Sequence, residues 1–119
     1  MNFENKVVFV TGAAQGMGRA ICRRFGEFGA KVVAVDIKLE AAAETIADLG
    51  ERGLALACNV ADAEAVRQAF AEVEARFGGV DVVVNSAGIG AASGFPDISD
   101  DNWTRVIGVN LTGTFLCCR

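Results

Sequence analysis

Apolar residues fall along the chain in two alternating rhythms. Lys6–Val10 (KVVFV), Lys31–Asp36 (KVVAVD), Leu54–Asn59 (LALACN) and Val80–Asn85 (VDVVVN) are nearly continuous apolar runs. Such runs read as strands covered on both faces, since a half-exposed strand would alternate. Between them the period changes to 3.6 residues. Met17, Ile21, Phe25 and Phe28 form one helical stripe that ends near Gly29. Leu39–Leu49 is Ala- and Glu-rich, with Gly50 placed as a C-terminal cap. Asp62 is placed to cap a third helix with the stripe Val66, Phe70, Val73, Phe77, closed by Gly78-Gly79. Ser99, followed by Asp100 and Asp101, opens a fourth helix carrying Trp103, Ile107, Leu111 and Phe115.

The order β-α-β-α-β-α-β-α predicts a parallel sheet with right-handed crossovers and helices on both faces. No linker, repeat or low-complexity stretch interrupts it, so residues 1–119 are expected to form a single domain. Two features predict that this is the first part of a longer fold. The last helix meets no Gly, Asn or Pro stop signal before Arg119. The run VDVVVN, which reads as buried, would lie at a sheet edge.

Composition narrows the function. With 52 % hydrophobic residues, 22 % charged and one Pro, the chain is neither disordered nor fibrous. A net charge of −4 argues against nucleic acid or an anionic membrane as a partner. No His and no Tyr occur, which excludes His-based triads, His-ligated metals and tyrosine acids within these residues. The four cysteines form no C-x-x-C pair and read as small buried hydrophobes of a reducing compartment. The N-terminus lacks the basic and apolar regions of a signal peptide, and no apolar run approaches a membrane span, so a cytoplasmic location is expected.

The sharpest chemical signal is Thr11-Gly12-Ala13-Ala14-Gln15-Gly16-Met17-Gly18, between the first strand and first helix. Unpaired N–H groups and the macrodipole at a helix N-terminus favour a pyrophosphate, and glycines let it approach the backbone. Asp36 ends the second strand, where a carboxylate can accept hydrogen bonds from both adenosine ribose hydroxyls. It would repel a 2′-phosphate, and Gln15 in the loop is neutral, so NAD is expected over NADP.

These residues resemble the short-chain dehydrogenases/reductases, whose T-G-x-x-x-G-x-G pattern is matched from Thr11 to Gly18. The resemblance implies that Thr11 steadies the turn, that Gly12, Gly16, Met17 and Gly18 surround the pyrophosphate, and that Asp36 selects NAD. Asn59-Val60 looks like the pair that contacts adenine. The family's N-N-A-G appears as Asn85-Ser86-Ala87-Gly88, implying that Asn85, Ala87 and Gly88 lie beside the nicotinamide ribose; Ser86 departs from the pattern at a sheet-supporting position. Asn110, in Val109-Asn110-Leu111-Thr112-Gly113, matches the Asn of a catalytic Asn-Ser-Tyr-Lys set, where it would interrupt the helix ladder. Gly108 and Gly113 flank it, each costing roughly 1 kcal/mol in a helix, which invites a kink.

The expected fold is therefore a Rossmann-type, doubly wound α/β sheet of order 3-2-1-4, truncated to four strands. The expected function is the NAD-binding portion of an oxidoreductase that moves a hydride between nicotinamide and a small alcohol or carbonyl. The family's catalytic Ser and Tyr-x-x-x-Lys belong to later segments, and the last Lys here is Lys38, so the chain is expected to be inactive alone. The alternative is a non-catalytic nucleotide-binding module that self-associates. A homo-oligomer is expected from the open strand edge and the apolar last helix.

Overall fold

The computed structural model describes residues 1–119. Four strands, β1 (Val7–Thr11), β2 (Lys31–Asp36), β3 (Gly53–Ala57) and β4 (Val82–Val84), form one sheet in the order β3-β2-β1-β4. All three pairings are parallel, with Val8 opposite both Val32 and Val82, and Val33 opposite Leu54. The expected α/β topology and strand order are thus present. Helices α1 (Gly16–Glu27), α2 (Leu39–Thr45) and α3 (Ala63–Phe77) follow the first three strands; α4 (Asp100–Ile107) and α5 (Gly113–Cys118) follow the fourth.

Strand pleating divides the core in two. Val7 and Phe9 of β1 face a cluster with Val33, Val35, Leu56, Val66, Val73 and Cys117, on the α3 and α5 side. Val8 and Val10 face the opposite cluster with Cys22, Val32, Ala34, Ala42 and Ile46, under α1 and α2. Both faces of β1 and β2 are covered, which is why their sequences do not alternate. Phe9 stacks on Phe70 with ring centroids 4.2 Å apart, anchoring α3 to the sheet.

The elements follow the local chemistry, with three differences from the expected pattern: one helix end, one strand length and the facing of two apolar stripes. Asp62 caps α3 by accepting from Glu64 and Ala65 N–H, and Gly78 closes it in the left-handed region, as its sequence predicts. Helix α2, expected to reach Leu49, stops at Thr45 and continues as a 3₁₀ segment, Ala47–Arg52, with Gly50 at φ 56°. Strand β4 is shorter than Val80–Asn85 and only half-buried, because β1 is its sole neighbour in the sheet. Just before it, Asp81 leaves the regular ladder and pairs with Val7 through both its side chain (2.8 Å) and its own N–H (2.9 Å).

The third difference concerns two apolar stripes. Met17 is 74 % exposed, and α1 packs inward through Gly18, Cys22 and Gly26 instead. Trp103, Leu111 and Phe115 are 60 %, 64 % and 58 % exposed. The inward side of the last helical segment consists of Gly113, which abuts Val60, and Cys117. Ile21 and Phe25 of α1, and Val109 and Leu116 near the C-terminus, still pack against the two clusters and are partly buried, while Met17, Trp103, Leu111 and Phe115 stay outside.

Candidate functional site

A cleft of about 420 Å³ opens at the C-terminal ends of β1 and β2. Its walls come from the loop between β1 and α1, the ends of β2 and β3, and the segment after β4. This is the crevice where ligands bind in open parallel α/β sheets.

Two glycines permit the first wall. Gly12 has φ 67°, and a Cβ there would lie 2.8 Å from the backbone nitrogen of Ala87. A Cβ on Gly18 would collide with the carbonyl of Gly12. The loop therefore folds flat against both α1 and the segment after β4, with no room for a side chain. At the head of α1, Gln15 provides no side-chain cap, and the N–H groups of Gly16, Met17 and Gly18 have no acceptor in the protein. Exposed donors with the helix dipole behind them are an arrangement that favours negative charge.

Thr11 works from behind this surface. Its Oγ1 accepts from the N–H groups of Ser86 and Ala87, both at 3.1 Å, and lies 3.5 Å from the Val84 carbonyl. The buried hydroxyl thereby ties the glycine loop to the start of the next wall. Asp36 closes the β2 side. Its Oδ2 accepts from Ala14 N–H and its Oδ1 from Lys38 N–H, each at 3.0 Å. Two backbone donors hold the carboxylate at the cleft rim.

Most of the residues singled out in the sequence meet here: Gly12, Gly16, Met17, Gly18, Asp36, Asn59, Val60, Ala87 and Gly88 all line the cleft. Asn59 folds its Oδ1 onto Ala61 N–H at 3.0 Å, turning the chain after β3. Thr11, Asn85 and Asn110 are not part of the lining. Asn85 donates from Nδ2 to Cys118 Sγ at 3.3 Å. Asn110 sits in a one-turn π-helix, Gly108–Thr112, between α4 and α5. Its Oδ1 accepts from Ile89 N–H and its Nδ2 donates to Ile89 C=O, both at 2.9 Å. The interruption expected at this Asn is present, and its side chain holds the backbone of a cleft-lining residue.

Ala14 of the glycine motif, Val109 of the Asn110 motif, and Ile37, Lys38 and Ile89 also line the cleft. Ile37 and Lys38 carried a signal, directly after the strand-ending Asp36. Ile89 follows Gly88 in the segment after β4, and the Asn110 contact across the fold fixes its position.

The cysteines are free: Cys22, Cys58 and Cys117 are buried, while Cys118 is exposed. Burial pushes the Cys22 thiol up to about 12 and the Cys117 thiol up to about 11. No helix is long and apolar enough to cross a membrane.

The family profile described as short chain dehydrogenase matches residues 6–119. The chain is 41 % identical to a 3beta-hydroxysteroid dehydrogenase of Mediterraneibacter gnavus, over 98 % of this chain and 44 % of that protein. It is 40 % identical to a meso-2,3-butanediol dehydrogenase of Serratia marcescens, over 100 % of this chain and 48 % of the relative. Among solved structures, a short-chain dehydrogenase/reductase (glucose/ribitol dehydrogenase) from Brucella melitensis superposes with a TM-score of 0.93 at 38 % identity. That match covers 99 % of this chain and 52 % of the other. A 3-ketoacyl-(acyl-carrier-protein) reductase from the same organism, complexed with NADH, also gives 0.93 at 35 % identity, over 98 % and 48 %. The chain spans about half the length of the curated relatives it matches.

Proposed function

The chain belongs to the short chain dehydrogenase family of oxidoreductases, and on that premise we propose that residues 1–119 form a single domain that binds NAD. The observation that carries the reading is the pairing, across one cleft, of free N–H donors at the head of α1 with the Asp36 carboxylate at the end of β2. The donors suit a pyrophosphate and the carboxylate suits ribose hydroxyls. Thr11 and the glycines shape the loop, Asn59 and Val60 flank the adenine end, and Ala87 and Gly88 serve the nicotinamide ribose, with Asn85 leading into that segment from outside the lining. Asp36 disfavours a 2′-phosphate by charge, so NAD is taken in preference to NADP.

NAD, when bound, supplies a hydride acceptor at its nicotinamide ring for a small alcohol, or in reduced form a donor for a carbonyl. The chain's own residues bind and orient. Asn110 is proposed to contribute to the catalytic set through its hold on Ile89, which fixes the wall behind the reacting end. Without Tyr, and with no Lys beyond Lys38, these residues offer none of the family's proton-transferring groups. General acid–base help is worth roughly 10²–10⁴-fold, so the 119 residues alone are expected to show no turnover.

Calorimetric titration with NADH, and with NADPH as the control, tests the reading. Saturable NADH binding with a much weaker NADPH response supports it; equal affinity for both removes Asp36 as the selector, and no response to either removes the cleft. The free thiols fit a reducing, cytoplasmic setting.

A second reading, self-association, is favoured by the exposed row Trp103, Leu111 and Phe115 along α4, the π-helical turn and α5. Asp100 and Asp101 stand at one end of that row and Arg119 at the other, so an antiparallel pair of copies would match opposite charges. Light scattering after size exclusion tests it: a dimer that Leu111→Glu converts to monomer supports the reading, and a monomeric wild type overturns it.

A further inference from the structure

Thr45 ends α2, far in sequence from the glycine loop, yet it is 5 % exposed with a saturated hydroxyl. Its Oγ1 lies 2.7 Å from the Ala13 carbonyl oxygen and 3.2 Å from that of Ala41, and it accepts from Arg19 Nε at 3.1 Å. A helical Thr ordinarily bonds back to the carbonyl four residues earlier, here Ala41. A hydroxyl has one proton, and the shorter, buried contact to Ala13 takes it. The charged donor on the other side strengthens that bond. Arg19 is itself held 3.5 Å from Glu44, so α1 and α2 meet at this hydroxyl.

The Ala13 carbonyl and the Ala14 N–H belong to one planar peptide unit. Thr45 grips the carbonyl end, and Asp36 accepts from the N–H end at 3.0 Å. Ala13 N–H is fixed separately on the Val35 carbonyl at 3.1 Å. With both ends held, the peptide cannot rotate its carbonyl toward the cleft, where it would oppose an anion, and Asp36 keeps its orientation.

We propose that Thr45 is a positioning residue for the dinucleotide, acting through the Ala13–Ala14 peptide to hold the glycine loop and Asp36 in their binding arrangement. This rests on the proposed NAD-binding role of the cleft. Thr45→Val keeps the shape and removes the hydroxyl; Thr45→Ser keeps the hydroxyl. Thr45→Val is expected to weaken NADH about fivefold, the factor of one ordinary net hydrogen bond, and Thr45→Ser to stay within about twofold of wild type.

A second readout needs no cofactor. Amide hydrogen exchange at Ala14 accelerates in Thr45→Val and not in Thr45→Ser. Unchanged NADH affinity and unchanged Ala14 exchange in Thr45→Val would overturn the inference, as would equal losses in the Val and Ser variants. Wild-type protein that fails to bind NADH while its Ala14 amide remains protected would instead overturn the NAD-binding reading, and the role of Thr45 with it. Should Thr45→Val fail to fold, Thr45→Ala carries the same comparison against Thr45→Ser.

Discussion

Thr11→Val isolates one hydroxyl that joins two walls of the cleft. Valine copies the shape of threonine, so the core around β1 keeps its packing and no cavity opens. The substitution removes the acceptor for Ser86 and Ala87 N–H, both at 3.1 Å. These two residues are half-buried, so water recovers part of the lost bonding, and each orphaned donor costs about 1 kcal/mol. The expected loss is about 2 kcal/mol, or a fall in Tm of about 8 °C for a domain of this length. Urea unfolding followed by circular dichroism measures it, with Thr11→Ser as the variant that retains the hydroxyl. A loss below about 0.5 kcal/mol, or one shared equally by the Ser variant, would refute the assignment of this hydroxyl as the tie.

Three further outcomes are expected. Gly18→Ala drives a Cβ into the Gly12 carbonyl, so the loop must shift and calorimetric NADH affinity should fall at least tenfold; near-wild-type binding would show the loop to be yielding. Asn110→Leu removes two 2.9 Å bonds to Ile89, costing about 1–2 kcal/mol and speeding proteolysis between Ser86 and Gly94, whereas unchanged cleavage would leave the π-turn without that role. Native protein at pH 8 should react with a thiol reagent at Cys118 alone. Because burial raises the folded Cys22 and Cys117 thiols to about 12 and about 11, above the unfolded 9.0, the unfolded chain releases these protons first. Stability contributed by the buried thiols is complete below pH 9 and is lost as pH rises through about 9–12; denaturant midpoints flat across that range would contradict this.

Much of the fold is legible in the sequence because the sheet is covered on both faces. KVVFV and KVVAVD are short, rich in β-branched residues and bounded by turn signals, which reads as buried strands, and Asp62, Ser99 and Gly78 mark their helix ends as local chemistry requires. What misleads is the direction of the helical stripes. Periodicity locates a row of large apolar residues but not the side from which it is covered. In α1 and α5 the fully buried positions are Gly18, Cys22, Gly26, Gly113 and Cys117, with Ile21, Phe25 and Leu116 packed beside them and only partly covered. Met17 and Phe115 are outside. The cleft is legible where its residues are consecutive, from Thr11 to Gly18, or where they end a strand, as Asp36 does. It is illegible where a contact joins distant segments. Nothing local marks Ile89 as the partner of Asn110, or Thr45 as the partner of Ala13.

In the proposed arrangement a dinucleotide occupies the cleft between the glycine loop and Asp36. A titration of ¹⁵N-labelled protein with NADH, followed amide by amide, addresses it directly. The largest shifts are predicted at Gly16, Met17 and Gly18, whose N–H groups have no acceptor in the protein, and at Asp36, Ile37 and Ala87 on the facing walls. Amides of α3 such as Ala71 and Glu74, on the other side of the sheet, should not move. Shifts confined to those α3 amides, or none at saturating NADH in a folded protein, would contradict the account.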